Sequence, residues 1–367
     1  RFPDLPSGLT IRRWRSKYRL WRDPTRGKFA GWRHRPEGRY QMDQAVCIFV
    51  HGPAPDENGY PPSCPFNTHR AQRTREIVLN MGLLGTADRI ERAPRPARRE
   101  ELEWFHTPEY LELLERGEQE ELGWEGIEAG IGTLDCPRFD HMYLYPALAA
   151  GATLTAAEAI LSGEARVAFN PSGGFHHAFP DRAAGFCYVN DVVIGAMKLA
   201  AAGRRVLVLD VDAHHSDGVQ HAFYRRADVM VISIHESGRR CFQGSFEDEI
   251  GEDEGEGFTV NVPLPVGTPD AVYERVLQEV VWPLAEAFAP DVVLVELGMD
   301  TLAGDPLAHL RLTNNVPADV VAHLVRMSRP ILAVGGGGYQ FEPTARGWAL
   351  CWSILCGANQ GLDDFGA

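Results

Sequence analysis

Leu207-Val208-Leu209-Asp210-Val211-Asp212-Ala213-His214-His215-Ser216-Asp217-Gly218 decides how this chain is read. The run from Val206 to Leu209 is apolar and rich in β-branched residues, as a buried strand would be. It stops in Asp210, Asp212 and His214, three groups able to hold a metal ion or a proton. In open α/β sheets ligands gather at the carboxyl ends of strands. Buried charge of this density is costly unless it is paired, hydrogen-bonded or bound to a metal. The stretch therefore predicts a metal site at the end of a strand.

Two further apolar runs end in the same way. Val292 to Leu297 leads into Gly298-Met299-Asp300, and Ile331 to Val334 leads into Gly335-Gly336-Gly337-Gly338-Tyr339. Asp300 alone would read as a helix cap. With Asp212 and His214 it completes a set of two carboxylates and one imidazole. Three protein ligands with a fourth position open mark a catalytic divalent ion, whereas a structural zinc site is closed by four. His176 and His177 follow a Gly-Gly turn. Adjacent histidines on a loop can be a surface coincidence, but Asp210 and Asp217 could each take an imidazole N–H. A carboxylate partner fixes the tautomer and raises the basicity of its histidine. Two such pairs beside a metal supply a general base and a general acid. The glycines before Tyr339 allow close backbone approach, so its phenol could be aimed at a developing oxyanion. The four-glycine run is not a phosphate loop, because no Lys-Ser/Thr follows it.

Outward from these ends, strands are expected over 45–50, 166–170, 206–209, 229–234, 292–297 and 331–334. Helices are expected over 68–81, 100–116, 146–161, 189–202, 270–288, 317–327 and 342–356. Such alternation predicts a single α/β domain with a mostly parallel central sheet and helices on both faces. The acidic run 247–256 reads as a solvated loop.

The 367 residues carry a net charge of −14 and are 44% hydrophobic. Residues 1–44 hold 12 Lys+Arg against 4 Asp+Glu, so the remainder is strongly acidic. This basic, Trp- and Arg-rich extension is expected either to pack on the surface through Trp14, Trp21 and Trp32 or to serve as an arm for a partner or second subunit. The domain proper is expected over 45–367. An acidic body is not suited to nucleic acid or an anionic membrane, so no direct nucleic-acid binding is expected, and it could favour cationic substrates by steering. The seven cysteines form no CxxC pattern and read as reduced thiols of a cytoplasmic protein. No run of about 18 apolar residues stands out, so no membrane span is expected. Nor is there a secretory signal at the start, and a chain opening at Arg1 reads as trimmed.

Gly173-Gly174-Phe175-His176-His177, Gly185-Phe186-Cys187-Tyr188-Val189-Asn190-Asp191, the opening stretch, Gly298-Met299-Asp300-Thr301-Leu302-Ala303-Gly304-Asp305-Pro306 and the glycine run to Tyr339 occur in that order. Together they resemble the zinc-dependent histone deacetylase family of the arginase-deacetylase fold, which includes acetoin-utilisation-type proteins and acetylpolyamine amidohydrolases. The resemblance spans about 45–356. It implies an amidohydrolase that removes acetyl or other short acyl groups from lysine side chains of proteins or peptides. The alternative is deacetylation of small acylated amines such as acetylpolyamines. By the same resemblance Asp212, His214 and Asp300 would bind zinc, with ferrous iron as the other candidate. His176 and His177 would move protons, backed by Asp210 and Asp217, and Tyr339 would stabilise the oxyanion. Phe186 and Phe242, with Gly185 and Leu307, would line an acyl-lysine tunnel. Asp135 would take a substrate backbone amide; read without the resemblance, it is a loop cap. A structural potassium ion would use the Asp210 side chain and the backbone carbonyls of Asp210, Asp212, His214 and Ser233, and a second, peripheral one could involve Phe223.

The chain departs from the family pattern at Ser216, where glycine is usual, and after Phe242, where Gln243-Gly244-Ser245-Phe246 replaces Pro-Gly-Thr-Gly. The second change bears on the tunnel mouth and so on substrate choice. An arginase-like two-metal hydrolase would need an aspartate two residues past His214, where Ser216 stands. A non-catalytic acyl-lysine reader is the remaining alternative, set against a full complement of catalytic residue types.

Overall fold

The computed structural model describes residues 46–52, 60–61, 64–237 and 245–358; the extension 1–44 and Phe242 lie outside the described residues. Eight strands form one sheet: β1 (Val46–Val50), β2 (Arg89–Arg92), β3 (Ala165–Asn170), β4 (Val206–Asp210), β5 (Val229–Glu236), β6 (Thr259–Leu264), β7 (Val292–Glu296) and β8 (Ile331–Val334). Their order is β2-β1-β3-β8-β7-β4-β5-β6, and each pairing is parallel. The expected single-domain α/β architecture is what forms.

Alternation along the strands feeds two cores. Leu207, Leu209, Val293 and Val295 pack into the core on one face, and Val206, Val208, Val292 and Leu294 into the core on the other. Strands buried on both faces are continuous apolar runs, which is why the sequence shows them so clearly. The same parity puts Ser233, Asp210 and Glu296 on one face, and the register makes them neighbours across β5, β4 and β7. Chain order reverses between β3 and β4: β1 and β2 lie to one side and β5 and β6 to the other. That reversal is where α/β sheets open a crevice.

Several expectations need correction. The expected helix 100–116 is two helices, Arg99–Leu102 and Pro108–Gln119, because Thr107 caps the second by accepting the Tyr110 N–H at 3.3 Å and Pro108 opens it. The expected helix 270–288 holds a π-helical turn, Leu277–Val281, between Asp270–Val276 and Trp282–Phe288. Pro283 brings no N–H to that ladder. The edge strands β2 and β6 escaped the sequence reading; β2 reads Arg-Ile-Glu-Arg and has no apolar run. The helix Leu144–Leu161 is long and apolar enough by composition to cross a membrane, contrary to expectation, yet 72% of it is buried within the fold. It packs between β3 and the helix Asp191–Ala201 as an interior helix. The six cysteines among the described residues are free, as expected.

Candidate active site and metal centre

Four neighbouring strands, β3, β8, β7 and β4, send their carboxyl ends to one place. β4 ends in Asp210 and turns through Asp212 to His214; β7 leads to Asp300; β8 leads to the glycine run; β3 leads through Gly173 and Gly174 to the histidine pair.

Asp212, His214 and Asp300 come together as one buried or half-buried group whose ligand atoms lie within 4.8 Å of one another. His214 Nδ1 is 3.1 Å from Asp212 Oδ1 and 2.9 Å from Asp300 Oδ2. Backbone amides hold the carboxylates in place. Ala213 N–H donates to Asp300 Oδ1 at 2.8 Å, and Gly337 N–H donates to Asp212 Oδ2 at 2.6 Å. A Cβ at Gly337 would fall 2.1 Å from Asp300 Oδ2, so only glycine lets the loop pass. Burial, then the Asp212 charge, pushes the Asp300 carboxyl up to about 7. Two buried carboxylates so close are poorly compensated by one imidazole, so the donor set fits a divalent cation.

Beside it, the His176 Nδ1–H donates to Asp210 Oδ2 and the His177 Nδ1–H to Asp217 Oδ1, each at 2.7 Å. Asp210 is itself steadied by the Asp212 N–H at 3.0 Å. Burial opposes charge on His176, but the Asp210 and Asp212 carboxylates outweigh it and push the imidazole up to about 9. Burial and the neighbouring His176 hold His177 below its usual 6.5 despite Asp217. A Cβ at Gly185 would meet the His177 ring at 2.2 Å, and Gly185 also has φ +54°.

Tyr339 stands across from the metal group, its ring centroid 6.4 Å from that of His214 and 5.9 Å from that of Phe186. Burial, then the charges of Asp300 and Asp212, raises its phenol well above 10, so it keeps its proton and can donate. Phe186 adopts φ +64°, unusual for a non-glycine residue, in the loop that brings its ring against Tyr339. Asp135 is exposed, and its Oδ2 accepts the Gly185 N–H at 2.6 Å. Leu307 is half-buried, with its N–H donated to Asp305 Oδ1 at 2.9 Å. Ser233 lies beside Asp210 on β5, and its hydroxyl is 2.8 Å from His235 Nδ1. Phe223 is buried at the end of the helix Asp217–Phe223.

Some residues of the site were given no role from the sequence, although Asn190, Asp191 and Asp305 stand within its quoted motifs. Asp191 accepts from Gly174 N–H at 3.0 Å, Phe175 N–H at 2.8 Å and the Thr153 hydroxyl at 2.6 Å, so it shapes the turn before the histidines. Asn190 donates to the carbonyls of His176 and Ala178 at 2.9 and 3.0 Å. Asp305 Oδ2 accepts the Tyr339 N–H at 2.8 Å. Glu296 is fully buried at the end of β7, with Oε1 3.2 Å from His176 Nδ1. Its signal was a lone acid inside Val-Val-Leu-Val-Glu-Leu, masked by its apolar neighbours.

Fold and site together define a parallel-sheet α/β protein with a candidate three-ligand metal centre at its strand ends. Residues 64–355 match the histone deacetylase domain. The chain is 38% identical over 293 residues to histone deacetylase 8 of Xenopus tropicalis, covering 78% of each chain. It is 35% identical over 323 residues to the acetoin utilization protein AcuC of Bacillus subtilis, covering 86% of this chain and 83% of the relative. The crystal structure of a histone deacetylase homolog complexed with SAHA superposes with a TM-score of 0.79 at 35% identity, over 85% of this chain and 84% of that one. The chain belongs to the histone deacetylase family. Its activity is that of a lysine deacetylase, a metal-dependent hydrolase of amide bonds in acylated substrates.

Proposed function

We propose that this protein hydrolyses the side-chain amide of acyl-lysine in proteins or peptides at a single zinc ion held by Asp212, His214 and Asp300. The observation that carries the reading is the apposition of this buried donor group to two carboxylate-backed histidines and a protonated tyrosine. When bound, zinc would polarise the acyl carbonyl and lower the pKa of the attacking water.

The chain's own residues do the rest. His177 is the neutral member of the pair, so its Nε2 takes the proton of the attacking water. His176, the cationic member, keeps a positive charge beside the reaction and can return a proton to the leaving amine. The Tyr339 hydroxyl donates to the developing oxyanion, an interaction worth roughly 3–4 kcal/mol in comparable sites. Gly185, Phe186 and Leu307 would wall the lysine stem, with Phe242 as a further wall. Asp135 keeps one carboxyl oxygen beyond its bond to Gly185, and we assign it to a substrate backbone amide; this favours peptides over small amines. A potassium ion is assigned to Asp210, Asp212, His214 and Ser233, where it would offset the carboxylates beneath the metal.

A panel of acetyl-lysine peptides and acetylated polyamines, compared by kcat/KM, tests the substrate class. Peptides are expected to be preferred, and Asp135→Ala should raise the KM for peptides alone. Preference for polyamines, with no effect of Asp135→Ala, would replace the peptide reading. Elemental analysis should find one zinc per chain.

A further inference from the structure

Glu296 is a carboxyl group in an expensive place. It ends β7 with no exposed surface, no described N–H or hydroxyl donates to either oxygen, and burial with the Asp210 and Asp212 charges pushes its carboxyl well above the usual range, so it stands protonated against Asp210. Its register neighbour is Asp210, the acceptor of the His176 Nδ1–H. Its Oε1 is 3.2 Å from that same Nδ1, and Glu296, His176 and Asp212 form a second close polar group beneath the first. An apolar side chain would fill this position of the sheet at lower cost, as Val208 and Leu294 do on the same face. Unsatisfied buried polar groups persist where function needs them.

We infer that Glu296 is a positioning residue for His176, flanking the Nδ1–H beside Asp210 as a second acceptor and so holding the ring with Nε2 turned toward His177 and the reacting amide. The inference rests on the proposed role of His176 in proton transfer. In the structure the Nδ1–H is aimed at Asp210, at 2.7 Å, and Glu296 stands off that axis. It becomes the acceptor when the ring tilts toward substrate, as catalytic hydrogen bonds often tighten only in the loaded site. Asp210 alone leaves the ring free to pivot about one bond; two carboxyls on adjacent strands define a plane.

The test is Glu296→Met against Glu296→Gln in the full chain, read by kcat, KM, bound zinc and Tm. Met keeps the length and removes both oxygens; Gln keeps a carbonyl acceptor. Met removes a buried carboxyl that no N–H reaches but also its contact with Asp210, so this variant is expected to fold with a Tm close to the parent's. Its kcat should fall by about tenfold or more, the usual cost of losing an orienting partner, with KM and zinc content little changed. Glu296→Gln should keep kcat within about threefold of the parent, since the acceptor survives. A Met variant with parental kcat overturns the inference. So does a Met variant that loses Tm and kcat together, which marks a structural role, or a Gln variant that falls as far as Met. His176→Ala is the control: parental turnover there would sink the proton-transfer reading itself, whereas loss there with no effect at Glu296 sinks only this inference.

Discussion

His176 and His177 face each other through their Nε2 atoms at 3.0 Å while each Nδ1–H is already given to its own aspartate. Two nitrogens that close need one proton between them. With both Nδ1 atoms committed as donors, the pair must hold one cation and one neutral ring. The pKa directions agree: His176 is raised and His177 lowered. Base and acid are therefore distinguished by what surrounds each ring, although the residues are adjacent in sequence.

This relationship sets a pH profile. Activity needs His177 neutral and His176 charged. kcat/KM should rise as pH climbs through a value below 6.5, where His177 loses its proton, and fall as pH passes about 9, where His176 loses its own. Asp210→Asn removes the largest influence that raises His176, so the alkaline limb should move to lower pH. Asp217→Asn removes the carboxylate that holds His177 up, so the acid limb should move lower too, with kcat reduced about 10–100-fold. An alkaline limb that stays put in Asp210→Asn would detach His176 from it.

Tyr339→Phe isolates the oxyanion donor. The ring stays to pack on Phe186, so folding and metal binding should be kept. The kcat should fall by about 10²–10³, the usual loss of one such donor. Stopped-time assays alongside metal analysis check both halves, and unchanged kcat would remove the phenol from the chemistry.

What the sequence made legible follows from where the polar residues stand. Asp210, Asp212, His214 and Asp300 end long apolar runs, so they contrast with everything before them. The central strands were readable for the same reason, since β4, β7 and β8 are buried on both faces, whereas their order in the sheet was not. Glu296 was not legible because one acid at the last rung of an apolar strand looks like the strand's edge; only register shows it beside Asp210. Asp191 and Asp305 act on backbone N–H groups far away in the chain, Gly174 and Tyr339, and backbone partners leave no trace in residue type. β2 was lost because an edge strand of alternating charge carries no apolar run.

Glycine at two positions carries a separate prediction. Gly185→Ala puts a methyl group 2.2 Å from the His177 ring and asks alanine to hold φ +54°. The ring must give way, so kcat should drop by about 10²-fold, as for other small misplacements of a catalytic group, while bound zinc is retained. Gly337→Ala instead strikes Asp300 at 2.1 Å and Asp212 at 2.8 Å, so it should release the metal. Measuring zinc per chain beside kcat separates the two. Equal zinc loss in both variants would contradict the placement of Gly185 against the histidine alone.

Metal removal tests the donor group as a stability element. Without a cation, Asp212 and Asp300 remain buried with their ligand atoms close together, a single imidazole between them and the Asp300 carboxyl driven up to about 7 by the conflict. Leaving buried charge uncompensated is strongly destabilising. Chelation should therefore abolish turnover and lower Tm, and added zinc should restore both, with the gain in stability growing with free zinc as expected for a ligand of the folded state. Asp300→Asn should shrink the gap in Tm between metal-loaded and chelated protein, because one of the two like charges is gone and the ion is held less tightly. Calorimetry of both proteins with and without chelator decides it. A gap as wide in Asp300→Asn as in the parent would mean that Asp300 does not hold the ion.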